Sequence, residues 1–126
     1  MNKLVFVGAR ILLGLIFAVF GLNGFLQFLP MPPLPEGAMA FMTGLMAAPY
    51  FMIVLKGSEI VCGVLLLVNK KVPLALLILA PICLQIFLFH AFLTPGISNV
   101  IMPSVLIVLG LIVALEHKEK FRSILS

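Results

Sequence analysis

The chain has no aspartate, two histidines and two cysteines, and only 10% of its 126 residues are charged. Each shortage removes a class of chemistry. The sequence contains no glycine-rich phosphate loop, no HExxH, no GxSxG and no paired-cysteine redox motif. With His90 inside an apolar stretch and His117 in the tail, neither a His-ligated haem nor a tightly held transition metal is expected. No catalytic activity of the chain on its own is expected either. Cys62 and Cys83 both lie within apolar segments and read as small buried packing residues. Both also fall within about a turn of mid-membrane, which leaves a pairing between them open.

Low charge is matched by a hydrophobic content of 63%, far from the balance of a soluble globule. The solvent implied is lipid. A net charge of +4 would suggest nucleic acid in a soluble protein, but here Lys and Arg lie at the ends of apolar segments, so no nucleic-acid partner is expected. The length allows one domain, residues 1–126.

Four membrane-length segments follow, at about 6–29, 50–68, 73–94 and 100–115. The first is too long for a signal-peptide core and is followed by no A-x-A-like site, so it reads as a retained span. Arg10, Gly14, Phe17, Gly21 and Gly24 share one stripe on it, where small residues admit a close neighbour, while Asn23 and Gln27 share another face. Its end is marked by MPPLPEG, residues 31–37. Residues 38–48 are apolar but too short to span. They are a re-entrant or interfacial short helix, or a kinked extension of the second span broken at Pro49.

The third span carries Pro81, which predicts a kink, and a stripe of Ala80, Cys83, Phe87, His90 and Thr94 that reads as bundle-facing, with Gln85 pointing away. PGISN, residues 95–99, turns into the fourth span, where Pro103 falls near the start. The tail, EHKEKFRSILS, is charged and amphipathic and reads as interfacial. The pattern is an all-α membrane protein, a four-transmembrane-helix bundle with a short extra helix or kinked extension before the second span. Lys3, Arg10, Lys70, Lys71, Lys118, Lys120 and Arg122 lie on the side of both termini and none on the opposite loops, which places both termini in the cytoplasm.

The second span is unusual in carrying Lys56 and Glu59. Its eleven Leu, Ile, Val and Phe residues at about −0.5 kcal/mol each give roughly −5 kcal/mol, and two central charges cost about +5 to +7. Alone it would insert only marginally, so the pair needs a bundle around it. Three residues apart, the two share a helix face and neutralise each other or meet polar partners opposite. A neutral pair of this kind fixes helix register, whereas an intramembrane ionisable pair also marks a proton-handling or ligand-binding site. With Asn23 on the first span and Gln85 and His90 on the third, a polar cluster from three helices is expected beneath the outer surface. Glu59 and His90 are its candidates for proton exchange, and Lys56, Glu59, His90, Asn23 and Gln85 for ligand binding. Arg10 reads as a snorkelling interface anchor.

ARILLGLIFAVFGLNGF in the first span, PEG in the loop, KGSEIVCGVLLL in the second span, and VPLALLILAP and IFLFHAFL in the third resemble the DoxX-like family of small four-helix bacterial membrane proteins. The resemblance covers essentially the whole chain, and its most specific part is K-x-x-E-x-x-x-G at Lys56, Glu59 and Gly63 with the late His90. Many relatives carry a lysine near the end of the first helix, where this chain has Gly24. The resemblance implies a four-helix bundle in the bacterial cytoplasmic (inner) membrane. The family's namesake is similar to a small subunit associated with thiosulfate:quinone oxidoreduction, and other relatives are linked with quinone or oxidative stress. The expectation is a redox-accessory protein that binds a quinone-like or lipid-like molecule between its helices and takes electrons through a membrane partner. A carrier of a small apolar cargo and a structural subunit of a larger complex are the alternatives, and the glycine faces allow a homo-oligomer.

Overall fold

A computed structural model describes residues 2–26, 34–94 and 96–125. Gln27, the end of the first expected span at residues 27–29, the prolines up to residue 33 and Pro95 lie outside the described residues. Among the described residues six helices form: α1 Lys3–Leu26, α2 Glu36–Met46, α3 Phe51–Val68, α4 Val72–Phe92, α5 Ile97–Glu116 and α6 Lys118–Leu125. No strand occurs among the described residues. Helices α1, α3, α4 and α5 are long and apolar enough to cross a bilayer. The shortest, α3 with 18 residues, rises about 27 Å, close to the roughly 30 Å hydrocarbon core.

The four long helices form a closed ring in which α1 packs most extensively on α3, α3 meets α4, α4 meets α5, and α5 returns to α1. What holds α1 to α3 is the absence of side chains. A Cβ on Gly14 would lie 2.8 Å from the Gly63 carbonyl oxygen, and one on Gly63 would lie 2.6 Å from the Ala18 nitrogen. One on Gly21 would lie 2.7 Å from an Ile60 side-chain carbon. As positions on α1 rise, their partners on α3 fall, so the helices run antiparallel with backbones in contact, the small-residue packing that lipid-embedded helices favour. The predicted stripe of Gly14, Phe17 and Gly21 is buried in this seam.

At the far end of the seam, the Arg10 guanidinium donates to the Leu66 carbonyl and, at 3.3 Å, to that of Leu67. These carbonyls belong to the last turn of α3, where intrahelical donors run out and the helix dipole is negative. The anchor expected from the sequence thus has a protein partner. Arg10→Met keeps the aliphatic stem and removes the donors, so it is expected to cost about 1.5–3 kcal/mol, read as a lower unfolding midpoint in detergent. An unchanged midpoint would show that water or lipid satisfies those carbonyls equally well.

The α3–α4 turn is tight because Asn69 and Lys71 both take left-handed backbone angles, with φ of 58° and 52°. The Lys70 amide bonds back to the Leu65 carbonyl at 3.0 Å, and Pro73 enters α4 in its first turn, where a proline costs no bond. Helix α4 runs unbroken through Pro81. Helix α5 starts at Ile97, three residues before the expected span. Gly96, at φ 140°, makes that entry, and Pro103 falls inside the helix and is buried.

Residues 38–48 resolve into a separate helix. α2 ends at Met46, and residues 47–50, with Pro49 among them, separate it from α3. It lies over the end of the bundle where α3 begins and α4 finishes. Ala38 is fully buried, Phe41 stacks on Phe89 of α4 with ring centroids 5.6 Å apart, and Gly37 faces Leu93. That end is called the α2 end below. The opposite end carries the Lys70–Lys71 turn and α6, and is the basic end.

Candidate functional site

Lys56 and Glu59 form the expected pair, with Nζ 3.1 Å from Oε2. The Glu59 side chain is 4% exposed and that of Lys56 22%. Lys56 reaches this position across α1: a Cβ on Gly24 would stand 2.5 Å from its Cγ and 2.7 Å from its Cδ, so the bare glycine is the seat for the lysine stem. Asn23, next to that seat, is buried. The ion contact does not complete the carboxylate's hydrogen bonding. Oε2 is buried, and the Lys56 ammonium is the one group near it that can donate among the described residues. A buried acceptor left in that condition is a high-energy feature, and a bound polar group would relieve it.

On the other side of Glu59 stands α4. The Cys83 thiol is its electrostatic neighbour, and Cys62 is one turn further along α3. Both cysteines are buried free thiols in the shared apolar core. Glu59 lies eight residues into α3 and Cys83 nine residues from the end of α4, so both are about 12–14 Å below the α2 end.

His90 belongs to a different level. It is two residues from the end of α4, about 9 Å nearer the α2 end than Glu59. Its Nδ1 is 3.0 Å from the Thr94 hydroxyl, which itself donates to the His90 carbonyl at 3.2 Å. With the hydroxyl hydrogen on the His90 carbonyl, Thr94 accepts from Nδ1–H; with it turned to the ring, Nδ1 is the acceptor. Asn99 extends the chain by donating to the Thr94 carbonyl at 2.9 Å, and the Phe89 ring meets the imidazole edge-on at 5.2 Å. Gln85 is exposed, on the opposite side of α4 from Cys83. The expected cluster thus resolves into a core layer of Asn23, Lys56 and Glu59, an end layer of His90, and Gln85 outside both.

The sequence placed Cys83 and Thr94 on the bundle-facing stripe and Gly24 on the close-packing one but joined none of them to the polar cluster. Cys83 shares depth with Glu59, and that equality was the available signal. Thr94 is one turn from His90 on its stripe. That Gly24 seats the Lys56 stem follows only from the packing. No group of three or more His, Cys, Asp or Glu side chains converges among the described residues.

Toward the basic end, α4 and α5 part to leave a half-open groove of about 400 Å³. It runs from Leu76 to Leu84 on α4 and from Leu106 to Ala114 on α5, over Leu13 of α1, with Phe121 of α6 at its end. Cys83 lines its deep end, so the groove and the core pair meet near mid-membrane.

A family model, DoxX, matches residues 5–91, from the first turn of α1 to the last turn of α4, including the whole α1–α3 seam and both polar layers. The chain belongs to the DoxX family. Neither a curated protein nor a solved structure matches the chain significantly. DoxX membership and the four apolar helices make it a multi-pass integral membrane protein in contact with lipid. In this DoxX chain the matched segment ends before α5, which supplies one wall of the groove.

Proposed function

We propose that the protein is a redox-accessory component of the bacterial cytoplasmic membrane, with both termini cytoplasmic, that binds a quinone-like molecule in the half of the bundle under α2. The observation that carries this reading is the buried Glu59 oxygen, whose one nearby donor is a Lys56 ammonium that keeps part of its surface open. A ligand oxygen beside the pair accepts from the ammonium and, when Glu59 is protonated, from the carboxyl, while a ligand hydroxyl donates to the ionised Glu59 oxygen. Bound there, a quinone supplies the two-electron chemistry, the electrons coming from a membrane oxidoreductase partner and the two protons from water. Glu59 relays one such proton to the ligand oxygen, and Lys56 neutralises the carboxylate left behind. In this reading His90, about 9 Å nearer the α2 end, takes up protons from that side and passes them toward Glu59 through water.

The test is native mass spectrometry of protein extracted gently from its own membrane, with the organic extract analysed for quinones. Wild type is expected to carry a quinone, and Glu59→Gln, which keeps the shape and loses the charge and the exchangeable proton, to carry at least about ten-fold less. Full occupancy in the Gln variant overturns the reading. A second reading, that the pair only fixes the register of α1 on α3, is favoured by the seating of the Lys56 stem on Gly24. Replacing both partners together separates the two.

A further inference from the structure

The groove between α4 and α5 meets the core pair only at its deep end, at Cys83, and runs from there toward the opposite end of the bundle with a different chemistry. Its walls offer hydrocarbon with one thiol, so it selects a chain and not a head group. Eight residues of rise on each helix make it about 12 Å long, close to the depth of one leaflet, half of the roughly 30 Å core. Its deep end, at Cys83, is near mid-membrane, and its other end is marked by Phe121. A groove of this length and position matches a chain entering from the leaflet at the basic end.

That end is charged. Lys70 and Lys71 form the turn leading into α4, and Leu76, the first α4 residue of the groove, is about 7 Å of helix beyond Lys71. Lys118 and Lys120 precede Phe121 on α6, and all four lysines are exposed. Arg122 is already engaged by Glu119 at 3.1 Å, and Glu116 lies 3.6 Å from His117, so the nearest acids leave the four lysines to other anions. Gly110 lies in the groove wall, and a Cβ built on it meets nothing within 4 Å. The width of the groove there depends on a side chain being absent.

We propose that this groove holds one acyl chain of an anionic phospholipid, whose phosphate is bound by Lys70 and Lys71 of the α3–α4 turn together with Lys118 and Lys120 of α6. The apolar slot fixes the chain, and the lysines select the anionic head group.

The test is native mass spectrometry of the detergent-solubilised protein titrated with dioleoyl phosphatidylglycerol or dioleoyl phosphatidylcholine, which share their chains and differ in head-group charge. Wild type is expected to hold one phosphatidylglycerol in strong preference to phosphatidylcholine. Gly110→Leu puts a side chain into the groove from a position where a Cβ meets nothing within 4 Å, and is expected to lose both adducts. The Lys70→Gln, Lys71→Gln, Lys118→Gln and Lys120→Gln substitutions change only exposed side chains and are expected to lower the preference by about five-fold per lysine while keeping chain binding. Glu59→Gln is expected to leave lipid binding unchanged, so this result does not depend on the quinone reading. Equal binding of the two lipids by wild type, or undiminished adducts in Gly110→Leu, overturns the proposal. Loss of a dimer in place of lipid adducts in Gly110→Leu also overturns it and assigns the groove to a second copy of the chain.

Discussion

Gly63→Leu is expected to yield no folded four-helix bundle. A Cβ at this position would stand 2.6 Å from the Ala18 nitrogen and 2.7 Å from the Gly14 carbonyl oxygen. Both atoms are backbone, so no rotamer change relieves the clash and the two helices must move apart. Overpacking an interior ordinarily costs about 1–3 kcal/mol, and it exceeds this where nothing flexible yields. Even Gly63→Ala should therefore lie at or above about 3 kcal/mol. Parting the seam also withdraws Arg10 from the Leu66 and Leu67 carbonyls and Gly24 from the Lys56 stem, so three separate attachments fail together. The measurement is recovery of a monodisperse peak from detergent and its unfolding midpoint. Gly8→Ala, where a Cβ meets nothing within 4 Å, serves as the neutral control. Wild-type recovery and midpoint in Gly63→Leu would mean that α1 and α3 are not in backbone contact.

The four spans were legible because lipid demands uninterrupted apolar runs of a fixed length, and that signal is local. The seam was legible for a related reason: glycines at helical spacing mark where backbones approach. What they approach depends on register between helices distant in sequence, so the Arg10 partners and the role of Gly24 could not be read. Residues 38–48 were ambiguous because an apolar stretch of that length is the same in an extension and in a separate helix, and the choice is made by the chain path at residues 47–50. The start of α5 was placed late because Ser98 and Asn99 look like turn residues, yet Gly96 carries the turn and Asn99 works as a local donor to Thr94. The Lys56–Glu59 pair was legible because three residues of separation suffice to bring the two together. His90 was grouped with them by depth, since it shares the outer half of the bundle with Lys56, and that grouping is too coarse to separate it from Glu59, about 9 Å deeper. The groove was illegible in principle, since it is a void left by the packing of α4 against α5.

Removing Lys56 alone is expected to do more damage than removing Lys56 and Glu59 together. Lys56→Leu leaves a carboxylate that is 4% exposed without its cation, and breaking a buried pair from one side costs about 3–5 kcal/mol. Glu59→Leu is milder, because the Lys56 ammonium is already 22% exposed and its stem is long enough to carry the charge toward the α2 end. In the double Leu variant no charge is stranded and the leucine at position 56 still lies over Gly24, so stability should return to near wild type, as when buried ion pairs are replaced by apolar residues of similar volume. Unfolding midpoints of the four proteins give the coupling between the two positions. Additive losses would mean that the pair is not an interacting unit. Ligand content of the same double variant then decides what the pair is for. A folded double variant that retains its bound small molecule makes Lys56 and Glu59 a register device between α1 and α3. One that folds and has lost the molecule makes the Lys56–Glu59 pair the polar group the ligand requires, since the bundle and its apolar core would have been preserved.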